Sequence, residues 1–292
     1  MQHAILGAGA IGGLLGTALA SLGEDVTVIV RAERIGDYPV QLSLDRPSGL
    51  MTAPVRTTST LTESVDVLWI ATKTYQLQAA LQAVGKLPHS VVPLLNGVDH
   101  IEVLRERYGP QSVLPATIGV EAEMIAPGRF IQRSPFVRLN LAASGEPLLG
   151  AIIERLGNLG FTCQFIPNEH TLLWGKLCFL GPLALLTTAS GMSVGEILDD
   201  AKWKRRLDST IAEACAVANA SGAVISLTEI QAVVDGLPAV MRSSMQKDLV
   251  AGRQLELDAI GGPIVSGGER NGIDVSTTAE LMATIRAKVA VR

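Results

Sequence analysis

Three glycines, Gly7, Gly9 and Gly12 in the run HAILGAGAIGG, constrain the fold of this chain more than any other feature. They follow residues 3–6, a short apolar strand, and they precede residues 11–21, where apolar side chains recur at helical spacing. Residues 25–30 then read as a β-branched strand, which completes one strand-helix-strand unit of about thirty residues. Each glycine has its own physical reason. Gly7 permits the tight turn, Gly9 leaves no Cβ in the way of an approaching pyrophosphate, and Gly12 lets the helix pack close to the strand. The N–H groups of Ala8, Gly9, Ala10, Ile11 and Gly12 then stand at or beside a helix start, where backbone donors and the helix dipole favour phosphate. The turn is expected to bind a dinucleotide.

The pattern continues through the first half. Strands are expected at residues 65–71 and 91–95, and helices at 75–84 and 100–108. Alternation of this kind implies a parallel sheet with helices on both faces. Past about residue 169 the apolar runs take a helical period, broken at Gly191, Gly222, Gly236 and Gly272. The expected fold is therefore an α/β Rossmann-type dinucleotide-binding domain, residues 1–167, followed by a mostly α-helical domain, residues 168–292.

Which dinucleotide binds is decided at the end of the second strand. An Asp or Glu there would accept hydrogen bonds from a ribose 2′-hydroxyl, but the position holds Arg31. A guanidinium pairs with a 2′-phosphate, so NADP(H) is expected over NAD. Arg34 and Glu33 lie close enough in sequence to share or screen that charge.

Composition excludes several classes. Lys+Arg number 24 against Asp+Glu 28, a formal charge of −4, which argues against nucleic acid as a partner. The apolar stretch 177–189 is interrupted by Gly181, Pro182, Thr187 and Thr188, so no membrane span is expected. The first residues lack the basic, apolar and small-residue pattern of a signal peptide, and a cytoplasmic location is expected. Cys163, Cys178 and Cys215 are widely spaced and read as buried small hydrophobes. His3, His89, His100 and His170 read as solvated or capping residues, and no metal site is expected. The apolar helical half leaves room for a homodimer interface.

Six segments in family order give the chain a resemblance to the ketopantoate reductases (2-dehydropantoate 2-reductases). They are GAGAIGG at residues 7–13, ATKTYQ at 71–76, LLNGV at 94–98, Pro127–Gly128, the W-x-K of Trp174 and Lys176, and SSMQKDLVAGRQLELD at 243–258. The resemblance implies an active site in the cleft between the two domains and NADPH-dependent reduction of a 2-keto acid. It makes Lys176 the general acid and Glu256 the carboxylate that contacts the cofactor ribose and positions the lysine. It places Asn96 between nicotinamide and substrate, and Ser244 on the substrate carboxylate. It sets Lys73 near the cofactor phosphate and that carboxylate, and the backbone of Ala122 near the nicotinamide. The chemistry agrees for Lys176, because hydride transfer to a ketone builds negative charge on oxygen that a buried ammonium stabilises and protonates. Without the resemblance the same lysine reads as one that snorkels from an amphipathic helix to solvent.

The sequence departs from the family at three places. Ketopantoate reductases typically carry asparagines four and eight residues after the catalytic lysine and a third before a G-E-L/I run; here those positions are Leu180, Ala184 and Val194. A more apolar substrate pocket is expected, and Pro182 is expected to loosen the lysine's helix. Three readings stand: a ketopantoate reductase, as in pantothenate and coenzyme A biosynthesis; a relative acting on a more apolar 2-keto acid; and a catalytically weak NADP-binding sensor or partner protein. Retention of Lys176, Glu256, Ser244 and Asn96 together argues against the third.

Overall fold

The computed structural model describes residues 1–291. The chain divides into two compact units, Met1–Leu95 with His100–Pro167, and Asn96–Asp99 with the chain from Asn168 onward. Because residues 96–99 pack with the helical unit, the chain crosses between the units three times, and a single boundary near residue 167 marks one of them.

The first unit opens with β1 (Gln2–Leu6), α1 (Ala10–Ser21) and β2 (Asp25–Ile29). It continues through β3 (Gln41–Arg46), β4 (Gly49–Pro54), β5 (Arg56–Thr58), β6 (Val67–Ile70), α2 (Leu77–Ala80), β7 (Ser90–Pro93) and α3 (His100–Tyr108). Strands β8 (Ala116–Gly119), β9 (Ala122–Ala126), β10 (Arg129–Gln132) and β11 (Val137–Ala142), then α4 (Glu146–Gly157) and β12 (Phe161–Ile166), complete it. Strands β5-β2-β1-β6-β7 form one sheet in which every pairing is parallel. β6 and β7 are buried along their whole length, and Val67, Leu68, Trp69 and Ile70 face apolar surroundings on both sides, as a covered parallel sheet requires.

Two further sheets add to the parallel sheet and its helices. A second sheet, β4-β3-β10-β9, lies against α1, and a third, β12-β11-β8, follows it. Helix α1 is buried from Gly12 through Ala20, so it has no solvent face. Gly13 explains the close approach: a Cβ there would sit 2.0 Å from Cζ of the buried Phe130 on β10. The continuous helix expected over 75–84 is also absent. That stretch is two 3₁₀ turns flanking the single α turn of α2, anchored by Leu77, Leu81 and Val84.

The second unit contains α5 (Glu169–Ser190), α6 (Val194–Asp199), α7 (Ala201–Ala220), α8 (Leu227–Asp235), α9 (Ser244–Val250), α10 (Leu257–Asn271) and α11 (Ser276–Ala290). Helix α5 is its axis, packed by α7, α9, α10 and α11. By length and apolarity α5 could cross a bilayer, but most of it is buried within the unit, as befits a core helix. The helix runs unbroken through Pro182, and Gly181 brings α10 near, since a Cβ there would meet Ile264 Cδ1 at 3.3 Å. Tertiary packing on all sides outweighs the one backbone bond that proline removes. Cys178 and Cys215 are buried in this core.

Two histidines are not solvated. His3 is 1% exposed, accepts from Trp69 Nε1 at 3.1 Å and lies 3.4 Å from Glu24. Burial lowers its pKa, with Glu24 opposing that shift. His100 is buried at the start of α3.

Candidate active site

Helix α1 begins without any side-chain cap. Gly9 occupies the N-cap position, Gly13 N donates to Gly9 O at 2.8 Å, and the first turn holds no acidic residue. The preceding donors are thus left to whatever binds there. Gly7 adopts φ +104°, and a Cβ on it would lie 2.7 Å from Thr72 N; a Cβ on Gly12 would lie 2.0 Å from Gly7 O. Only glycine fits either position. A Cβ on Gly9, by contrast, would meet nothing within 4 Å, so the backbone there is open to a ligand. This cradle fits a dinucleotide pyrophosphate. The contact between Gly7 and residues 71–72 also sets Lys73, just beyond β6, beside the same turn. Arg31 caps the turn after β2, is exposed and makes no ion pair among the described residues, whereas Arg34 is engaged with Asp37 at 2.9 Å. Ala122 begins β9, an edge strand, in register with Gln132.

The helical unit assembles a polar chain of three residues. Lys176, in the second turn of α5, donates from Nζ to Asn96 Oδ1 at 3.0 Å, and Asn96 Nδ2 donates to Glu256 Oε2 at 3.1 Å. The amide is polarised consistently along its length, accepting from the cation and donating to the anion. Gly97 makes the arrangement reachable: at φ +85°, its missing Cβ would lie 2.3 Å from Ala259 O, so the 96–99 segment lies against the first turn of α10. Glu256 is the N-cap residue of α10 and is 5% exposed, yet its side chain caps no backbone donor. It serves Asn96 instead. Protein packed around the Lys176 ammonium lowers its pKa to about 8 by desolvation, against the opposing pull of Glu256. Such a group is charged at neutral pH and gives up its proton readily.

Ser244 is exposed at the first position of α9. Its neighbour Ser243 is the buried N-cap, accepting from Gln246 N at 3.1 Å and from Thr187 Oγ1 at 2.7 Å. Only the second serine of the pair is therefore available to a ligand.

The family model described as Ketopantoate reductase PanE/ApbA matches residues 3–144, and the one described as Ketopantoate reductase PanE/ApbA C terminal matches residues 170–289. The chain belongs to the ketopantoate reductase family. It is 30% identical over 298 residues to a 2-dehydropantoate 2-reductase of Caulobacter vibrioides, covering 97% of this chain and 98% of that relative. Among solved structures, 2-dehydropantoate 2-reductase from Geobacter metallireducens matches with a TM-score of 0.88 at 21% identity, over 98% of this chain and 99% of that one. D-mandelate dehydrogenase in a ternary complex with NADH and anilino(oxo)acetate matches with a TM-score of 0.86 at 24% identity, over 100% and 99%. At these identities the two structures speak for the fold. The ketopantoate reductase relatives are oxidoreductases, and so is this chain.

Of the three positions where ketopantoate reductases typically carry asparagine, Ala184 and Val194 are each 1% exposed and belong to the helical core. Neither offers surface to a substrate. Leu180, one turn beyond Lys176, keeps partial exposure and alone can touch one. The broader apolar pocket expected from all three thus narrows to a single side chain.

Proposed function

We propose that this protein reduces a 2-keto acid to the corresponding 2-hydroxy acid with NADPH, and that ketopantoate is its substrate, as in pantothenate biosynthesis. The observation that carries this reading is the chain Lys176–Asn96–Glu256. A bound nicotinamide would supply hydride to the carbonyl carbon. Lys176 holds its ammonium proton toward the carbonyl oxygen and transfers it as negative charge develops, becoming a neutral amine. Asn96 fixes the direction of that ammonium, and Glu256 keeps it charged until the proton is needed. The exposed Ser244 hydroxyl binds the substrate carboxylate, and Lys73 serves the cofactor phosphate. The turn from Gly7 through Ala8, Gly9, Ala10 and Ile11 to Gly12 holds the pyrophosphate, Arg31 pairs with the 2′-phosphate, and the Ala122 backbone borders the nicotinamide. We place the enzyme in the cytoplasm as a homodimer.

A second reading, a more apolar 2-keto acid, is favoured by Leu180. It stands where an amide would receive the substrate hydroxyl, and an unpaired buried hydroxyl costs about 1 to 3 kcal/mol. The test compares kcat/KM for ketopantoate with that for its deoxy analogue, 3,3-dimethyl-2-oxobutanoate, following NADPH oxidation. A ratio above one by tenfold or more identifies ketopantoate; a ratio near or below one identifies the apolar substrate. No turnover of either, with NADPH bound, overturns both readings.

A further inference from the structure

The glycine turn has a support that neither the fingerprint nor the polar chain explains. Tyr38 lies partly buried after the 3₁₀ turn that follows β2, and its hydroxyl donates to Ala8 O at 2.5 Å. Met124 Sδ stands 3.7 Å from the Tyr38 hydroxyl oxygen, and the backbone N–H of Gly128 is turned toward that hydroxyl. Gly128 has φ +70°, and a Cβ on it would lie 2.4 Å from Pro39 Cγ, so only glycine lets the 127–128 turn close over Pro39 and hold Tyr38 in place. Burial raises the Tyr38 pKa, which keeps the hydroxyl a donor at working pH.

We propose that Tyr38 is a positioning residue for the phosphate-binding turn, its hydroxyl holding the Ala8 carbonyl so that the Gly9 N–H is aimed at the cofactor pyrophosphate. Among the described residues no peptide is cis, and across a trans peptide the carbonyl of one residue and the N–H of the next point in opposite directions. Pinning Ala8 O toward Tyr38 therefore commits Gly9 N–H to the opposite side. A glycine at that position would otherwise rotate freely. The Pro127–Gly128 turn, remote in sequence from the fingerprint, becomes part of the same device.

This inference rests on the dinucleotide reading of the turn, and the experiment separates the two. Dissociation constants are measured for NADPH, 2′-phospho-ADP-ribose and 2′-AMP with the intact protein and with Tyr38→Phe, which removes one oxygen and keeps the ring. Loss of the hydrogen bond should weaken NADPH and 2′-phospho-ADP-ribose, which both carry the pyrophosphate, about five- to tenfold. Binding of 2′-AMP, which lacks the pyrophosphate, should stay unchanged, as should the melting temperature of the cofactor-free protein to within a few degrees. Equal weakening of all three ligands would mark a general structural role and overturn the proposal. So would unchanged NADPH binding in the variant while the intact protein binds it. Failure of the intact protein to bind NADPH would overturn the reading of the turn, and this proposal with it.

Discussion

Replacing Glu256 by glutamine removes one buried charge and leaves the side chain's shape, and Asn96 Nδ2 can still donate to the new amide oxygen. The effect should reach Lys176 through space. One amide and two hydrogen bonds, 3.0 Å and 3.1 Å long, separate the ammonium from the carboxylate. At a separation of about 7 Å and an effective dielectric of about 20, the lost attraction is roughly 2 kcal/mol, or between one and two pKa units. Glu256 raises the Lys176 pKa, so its removal must lower it, from about 8 toward roughly 6 to 7. A general acid works only while protonated. The alkaline limb of kcat/KM, recorded from pH 5.5 to 9.5 with saturating NADPH, should therefore stand near pH 8 in the intact enzyme and move one to two units down in Glu256→Gln. At pH 7 the variant should be about fourfold slower, with the loss recovered near pH 5.5. A limb that stays near pH 8 in the variant would refute the coupling, and a profile without an alkaline limb in the intact enzyme would refute Lys176 as the acid.

Lys176→Met should lower kcat by about 10²-fold or more while raising stability at pH 7 by up to about 3 kcal/mol. The folded pKa of Lys176 is depressed to about 8 from an ordinary 10.5, so the unfolded chain binds the proton more tightly and the intact protein gains stability as pH rises between those values. The advantage of the methionine variant in urea unfolding should fade by about pH 10.5; an advantage independent of pH would contradict the burial argument. Arg31→Ala should weaken NADPH about tenfold and leave NADH within a few-fold, as read by fluorescence titration; equal losses for both cofactors would remove the case for the 2′-phosphate. Leu180→Asn should raise the kcat/KM ratio of ketopantoate over its deoxy analogue. Ala184→Asn should instead lower stability by about 1 to 3 kcal/mol, because that amide would be buried in the core, and a specificity gain there would contradict its burial.

Much of the site was legible in sequence because its chemistry is local. The requirements at Gly7, Gly9 and Gly12 arise within a few residues of each other, and hydrophobic period alone separates the strand-rich first half from the helical second. Arg31, too, could be placed from the end of one strand. What spans long separations was not legible. Gly97 reveals nothing of its contact with Ala259 until α10 is folded, and the Asn96 amide joins Lys176 to Glu256 across 80 and 160 residues of chain. Packing also decides what pattern leaves open. Pro182 sits inside a continuous α5 that helices surround, and α1 meets a second sheet because Gly13 admits Phe130. The family resemblance grouped Leu180, Ala184 and Val194, and spacing put the first two on the lysine's face, but helical periodicity does not distinguish a face turned to a ligand from one turned to a neighbouring helix. Periodicity and turn chemistry are set by neighbours along the chain, whereas burial, and with it the Lys176 pKa and the reach of Tyr38 to Ala8, is set by neighbours in space that only the folded chain brings together.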